Sequence, residues 1–184
     1  QMDFARRMGL TPGSRFIEIG AGPLTLGLPL IGHLDAGNYI GIDVRPEVLN
    51  LSWQQIGKAG LSAKNPRLIV SSSFGAHELA DDVRADMIWS FSVLYHLTDE
   101  QVDACFGQVA RRLDRAGVYI ANINPQHEES TWLQFPFNKR GVEFYRAIAE
   151  RHGLKVEELG DLQSLGFALD SAEKVNLLLK IQHA

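Results

Sequence analysis

The stretch Arg15-Phe16-Ile17-Glu18-Ile19-Gly20-Ala21-Gly22-Pro23-Leu24-Thr25 constrains this chain more than any other. An apolar run of strand length that ends in an acidic residue and breaks into Gly-x-Gly opens a nucleotide crevice at the edge of a parallel α/β sheet. The glycines let the backbone turn sharply and approach a ligand with no Cβ in the way. Further on, Tyr39-Ile40-Gly41-Ile42-Asp43 reads as a second short strand. It delivers Asp43 at its carboxyl end, where a carboxylate accepts hydrogen bonds from two ribose hydroxyls, with Val44 beside it.

The same spacing suits a dinucleotide, so the details must separate the two ligands. A dinucleotide fingerprint needs a third glycine to pack helix on strand, with a pyrophosphate at the helix N-terminus. Position 25 is Thr, and Glu18 would place negative charge at the mouth of that site. A carboxylate there opposes a diphosphate and favours a ligand with a sulfonium and an ammonium group.

Here the chain resembles the class I S-adenosylmethionine (SAM)-dependent methyltransferases, with Glu18-Ile19-Gly20-Ala21-Gly22-Pro23 as motif I and Asp43 as the ribose-binding acid. Asp86-Met87-Ile88-Trp89-Ser90 followed by Val93-Leu94-Tyr95-His96-Leu97 is similar to the family's fourth-strand segment. Leu113-Asp114-Arg115-Ala116-Gly117-Val118 is similar to the turn before its fifth strand. The resemblance covers most of the chain from about residue 10 onward. It implies an α/β three-layer sandwich with a doubly wound, mostly parallel seven-stranded sheet ordered 3-2-1-4-5-7-6, the seventh strand antiparallel. It also implies SAM as methyl donor and S-adenosylhomocysteine as product. One departure stands out. The family often carries an acidic residue past the third strand for the adenine amino group, whereas this chain has Ser71-Ser72-Ser73-Phe74. Ser73 is then the expected adenine hydrogen-bond partner and Phe74 the cover of its face, with Ser90 and Phe91 on the donor side.

Element by element, the pattern supports that fold. Met2 to Leu10 reads as a lead-in helix, Arg15 to Ile19 as the first strand and Asn38 to Asp43 as the second. With Pro29 at its position, the helix after the glycine loop is expected to start near Gly27 or to have a distorted first turn. Pro46 suits the first position of the next helix, which runs to about Lys58 with Val48, Leu49, Leu51, Trp53 and Ile56 as core candidates. Strands follow at Arg67 to Ser71 and Ala85 to Phe91, the latter apolar enough for burial on both faces. Thr98-x-x-Gln101 is a capping box ahead of Val102, Cys105, Phe106, Val109 and Leu113 at helical spacing. Val118 to Ile123, Leu154 to Leu159 and Lys174 to Ile181 read as the remaining strands, and Glu143 to His152 as the last helix. Residues 124 to 140 lack periodicity and suit a lid, so the expectation is a single domain over residues 1–184 with a lid at 124–140.

Composition narrows the function classes. A chain of 184 residues with 45% hydrophobic and 22% charged residues buries a sizeable core. A net charge of -4 gives no general pull toward nucleic acid or anionic lipid, which disfavours RNA and DNA as substrates while leaving room for a local basic patch. The lone Cys105 has no internal disulfide partner and reads as a buried thiol. No segment reaches the roughly 18 consecutive apolar residues of a membrane helix, and the start lacks a signal-peptide core, so a cytoplasmic protein is expected. Gln1 as first residue suggests a chain that begins inside a longer one.

Methyl transfer from a sulfonium is an in-line displacement, so the protein mainly aligns the reactants and excludes water. A hydroxyl or ammonium acceptor needs a base within hydrogen-bond reach. His96 is the catalytic candidate, because it follows the fourth strand where the crevice opens and imidazole titrates near neutrality. Pocket lining and helix-entry packing are its other roles, and Tyr95 is placed with it on the acceptor side. Trp132, within Trp132-Leu133-Gln134-Phe135-Pro136-Phe137, either covers the acceptor or caps the sheet edge. Lys139 and Arg140 either grip an acidic acceptor or stand in solvent. Asp99 and Glu100 complement the helix dipole behind Thr98. His127-Glu128-Glu129 lacks metal-ligand spacing, so no metal is expected. O-methylation of a small molecule, at a sugar or other hydroxyl, is the preferred activity; a methyltransferase-like binding module without turnover and a nicotinamide oxidoreductase are the alternatives.

Overall fold

The computed structural model describes residues 1–125, 130–132, 135–167 and 176–184. Among the described residues nine strands run in chain order: β1 (Phe16–Ile19), β2 (Tyr39–Asp43), β3 (Arg67–Val70), β4 (Ala85–Ser90), β5 (Leu113–Ile123), β6 (Ser130–Trp132), β7 (Phe135–Phe137), β8 (Leu154–Asp161) and β9 (Leu177–His183). The α-helices of the described residues are α1 (Met2–Arg7), α2 (Gly27–His33), α3 (Pro46–Lys58), α4 (Asp99–Arg112) and α5 (Val142–Arg151). The main sheet has the order β3-β2-β1-β4-β5-β9-β8, while β6 and β7 pair separately. With that small hairpin set aside, this is the expected 3-2-1-4-5-7-6 arrangement. Strand β9 runs antiparallel to both β5 and β8, and the other pairings within the main sheet are parallel.

Side-chain alternation divides the core into two layers. Ile17, Ile19, Ile40, Ile42, Ile88 and Tyr119 point to one face, where Val102, Cys105, Phe106 and Val109 of α4 and Tyr145, Ile148 and Ala149 of α5 meet them. Phe16, Tyr39, Met87, Trp89 and Ile120 point to the other, against Phe4 of α1, Leu30 and Ile31 of α2 and Ile56 of α3. Cys105 is fully buried, and that burial pushes its thiol up to about 12.

Local chemistry explains the helix boundaries. Thr98 accepts from the Gln101 amide while the Gln101 side chain accepts from Thr98 N–H, completing the expected capping box. Pro46 opens α3 and Pro29 falls in the first turn of α2, where no helical N–H bond is lost. In α3 the inward face is Leu49, Ser52 and Ile56, whereas Leu51 and Trp53 are exposed; the expected core positions Leu51 and Trp53 are corrected. A hydroxyl takes an interior place because its two hydrogen-bond partners lie inside, the carbonyls of Gly22 at 3.0 Å and Val48 at 2.9 Å. The expected turn at 114–117 lies within β5, which begins at Leu113 beside Ala85 and shifts register between Ala85 and Met87. Of the expected lid, the hairpin is described. Residues 126–129, with His127, Glu128 and Glu129, and the Trp132 side chain lie outside the described residues.

Candidate active site

Glu18 and Asp43 stand on neighbouring parallel strands and face the same side of the sheet as Tyr39 and Gly41. Gly41 lies directly opposite Glu18, and its missing side chain leaves room above β2: a Cβ there would come 3.0 Å from Tyr39 Oη. Through that gap Tyr39 donates a 2.5 Å hydrogen bond to Glu18 Oε2. Both groups are fully buried. Desolvation pushes the Glu18 carboxyl up to about 8, the Tyr39 hydrogen bond works against that rise, and the nearby Asp43 charge adds to it.

The glycine turn spends its amides on β2. Gly20 N–H and Ala21 N–H both donate to the Ile42 carbonyl, at 2.7 and 2.9 Å, and Gly22 N–H donates to Asp43 Oδ2 at 2.9 Å. Three successive donors that could cradle a phosphate are therefore committed within the protein. Gly20 at φ 76° lies under Val93, whose Cγ2 would stand 2.4 Å from any Cβ at that position.

Around this turn lies a cavity of about 970 Å³ at the carboxyl ends of the strands. Of the sequence candidates, Glu18, Gly20, Ala21, Gly22, Asp43, Val44, Phe74, Phe91, Tyr95 and His96 line it. Four others do not. Ser73 is replaced at the wall by Ser71 and Ser72. Ser71 Oγ accepts from the amides of Ser73 and Gly75, and this turn presents Phe74 with φ 57°. Ser90 points to the opposite face of the sheet, 1% exposed, with its Oγ 2.7 Å from the Tyr119 hydroxyl. Lys139 is exposed away from the lining. Arg140 donates to Asp99 at 2.6 and 2.9 Å and to the Leu97 carbonyl at 2.8 Å, and lies over the Phe144 ring, so it braces the entry to α4.

His96 closes the β4 side of the cavity. Its Nδ1 lies 2.8 Å from the Pro136 carbonyl. A carbonyl oxygen only accepts, so Nδ1 carries the proton and the neutral ring has its lone pair on Nε2. The same β7 segment is held in place by Asn138, whose amide donates to the Tyr95 carbonyl at 2.7 Å and whose side chain donates to the Leu97 carbonyl at 2.9 Å.

Sequence reasoning missed Arg45, Ser52, Val93 and Phe167. Arg45 lines the cavity and caps Asp43, and its position two residues past the strand-end acid is its only sequence signal. Ser52 interrupts an otherwise apolar helical face, which is a readable mark of an interior partner. Phe167 enters from the segment between β8 and β9, and nothing local in the sequence indicates that placement. Among the described residues there is no cluster of three or more His, Cys, Asp or Glu able to hold a metal, and no helix long and apolar enough to cross a membrane.

A family model described as a methyltransferase domain matches residues 17–119, more than half of the chain. No curated protein matches the chain by sequence. Among solved structures, a SAM-dependent methyltransferase from Clostridium acetobutylicum ATCC 824 superposes with a TM-score of 0.74 at 13% identity, over 100% of this chain and 89% of that one. Magnesium protoporphyrin IX methyltransferase (ChlM) from Synechocystis PCC 6803 with bound SAM gives 0.71 at 15%, over 99% and 76%. The glycopeptide N-methyltransferase MtfA complexed with sinefungin gives 0.74 at 15%, over 100% and 92%. At such identities these likenesses speak for the fold.

Proposed function

The chain belongs to the methyltransferase-domain family, and from that premise we propose that residues 1–184 act as one domain that moves a methyl group from SAM to a hydroxyl of a small molecule. The observation that carries this reading is the pair of buried acids, Glu18 and Asp43, flanking a glycine turn whose amides are already committed to β2. Such walls reject a diphosphate and suit a positively charged nucleoside. That same feature speaks against the nicotinamide alternative.

The donor set fits SAM in charge and in position along the sheet. Glu18 would take the amino acid end, Asp43 with Val44 the ribose, and Phe74 with Ser72 the adenine. Bound there, SAM supplies an electrophilic methyl on a sulfonium sulfur. The chain's own contribution is alignment, exclusion of water and removal of one proton. His96, with Nδ1–H committed to Pro136, holds its lone pair on Nε2 and takes the acceptor hydroxyl proton there. The oxygen thus freed of its proton would accept the methyl group as the C–S bond breaks, with S-adenosylhomocysteine as the leaving product.

Calorimetric titration with S-adenosylhomocysteine and with NAD tests the cofactor. Micromolar affinity for the first and none for the second is expected, with Asp43→Asn weakening it by about tenfold to a hundredfold, the loss of one or two charge-assisted hydrogen bonds. Binding of NAD alone would overturn the reading. For the base, His96→Gln should lower kcat by about 10²- to 10⁴-fold and remove the acidic limb of the pH profile while leaving S-adenosylhomocysteine affinity unchanged.

A further inference from the structure

Resting on that reading, we infer that the acceptor is an uncharged planar aromatic ring carrying the hydroxyl to be methylated. The sheet order lays the cavity out from one end to the other. Over β3 and β2 lie Ser72, Asp43 and Arg45; over β1 lie the glycine turn and the start of α2; the loop after β4 contributes Phe91, Tyr95 and His96. The carboxyl and guanidinium side chains of the lining, Glu18, Asp43 and Arg45, all belong to the β1 and β2 end.

The far end is aromatic. Tyr95 and Phe137 stack with centroids 4.8 Å apart and planes 13° apart, and the His96 ring stands edge-on to both at 4.7 and 4.5 Å. Phe91 and Phe167 form a second stacked pair at 5.8 Å and 11°. All five rings line the cavity. Flat π surfaces of this kind add about 0.5–1.5 kcal/mol per ring contact beyond the area they bury.

Charge points the same way. An acidic or phosphorylated acceptor needs a cation, and the nearest sequence candidates do not supply one: Arg140 is spent on Asp99 and the Leu97 carbonyl, and Lys139 is outside the lining. Seating an unpaired anion against phenyl rings costs several kcal/mol. A permanently cationic acceptor would meet the rings favourably but would stand beside His96, which becomes cationic as it takes the proton. A neutral aromatic hydroxyl meets the rings, keeps its proton until Nε2 removes it and introduces no charge.

The test uses the full chain saturated with S-adenosylhomocysteine and titrated with four probes: 2-naphthol, the anion 2-naphthoate, the saturated analogue 2-decalol and tetramethylammonium. The expected result is that 2-naphthol binds about tenfold or more tighter than each of the others, the equivalent of roughly 1.4 kcal/mol. Phe167→Leu and Phe137→Leu, two independent variants on different segments, should each weaken 2-naphthol by about threefold to tenfold while leaving S-adenosylhomocysteine affinity within about twofold. Equal or tighter binding of 2-naphthoate, 2-decalol or tetramethylammonium would overturn the proposal, as would two leucine variants with undiminished 2-naphthol affinity. Failure of S-adenosylhomocysteine itself to bind is a different result, which removes the methyltransferase reading beneath it as well.

Discussion

Arg45 closes over Asp43 through Nε at 3.0 Å and Nη2 at 3.2 Å, while the Arg45 and Gly22 amides donate to the same carboxylate at 3.0 and 2.9 Å. A carboxylate offers about four acceptor directions, and this one has four donors. The ribose hydroxyls assigned to Asp43 must therefore displace the guanidinium, which is held by hydrogen bonds to Asp43 with a smaller charge contribution from Glu47. Arg45→Met should tighten S-adenosylhomocysteine binding by about threefold to tenfold, since the two backbone donors still orient Asp43. Calorimetry of the variant checks this, and weaker binding would mean that Arg45 holds the nucleoside itself.

The elevated Glu18 carboxyl makes the ligand-free protein sensitive to pH. Its folded pKa of about 8 lies above the ordinary 4.5, so below 4.5 both states hold the proton and the contribution is fully present. As pH climbs from 4.5 toward 8 the unfolded chain ionises first, and stability falls until the folded carboxyl ionises too. Chemical denaturation midpoints measured from pH 5 to 9 should decline across that window for the wild type and flatten for Glu18→Gln.

A cation placed beside Glu18 should reverse its protonation. At neutral pH, binding of S-adenosylhomocysteine through its ammonium group is expected to release up to one proton. Calorimetric enthalpies in buffers of different ionisation heat measure that release directly. Glu18→Gln should abolish the buffer dependence.

Gly20→Ala meets two obstacles, a left-handed φ of 76° and a 2.4 Å approach to Val93 Cγ2. The first costs about 1–2 kcal/mol and the overpacking about 1–3 kcal/mol. In a thermal melt, Gly20→Ala combined with Val93→Ala should recover the packing part alone, visible as a double-mutant coupling of about 1–3 kcal/mol. Additive losses would show that the turn relaxes away from β4.

Buried Arg112 donates to the carbonyls of Gly75, Leu79 and Ala80 at 3.0, 3.3 and 3.0 Å, so it shapes the segment that follows Phe74. Arg112→Met removes that donor from all three oxygens, while Gly75 O and Ala80 O keep the amides of Leu79 and Val83, and should cost about 1–3 kcal/mol. The expected signature is a lower melting temperature together with weaker S-adenosylhomocysteine binding, because Phe74 loses the support beneath it.

Local chemistry made much of the site legible. Gly20 and Gly22 were readable because a turn there needs left-handed backbone, and both have positive φ. Thr98 and Gln101 were readable because a capping box involves only residues three apart. Ser90 was misread because its face depends on the strand's twofold alternation relative to Glu18, and a strand buried on both faces carries no polar alternation to show which way a side chain points. Ser73 was misread because Ser71 gathers the turn's amides, a choice among three serines that only the folded loop makes. Arg140 was misread because its partner Asp99 lies 41 residues away.

By itself, the amino-acid order determined the alternation of strands and helices, the acid and glycine turn after the first strand, the second acid after the next, and hence the charge of the ligand this crevice admits. These follow from periodicity, backbone freedom and residue type, all of which act over a few residues. The tertiary structure alone decided that Tyr39 reaches Glu18, that Arg45 occupies Asp43, and that rings from the loop after β4, the hairpin and the segment after β8 line the same cavity. Strand register and crossover connections bring those groups together, and they are set by the packing of the whole sheet between its two helical layers.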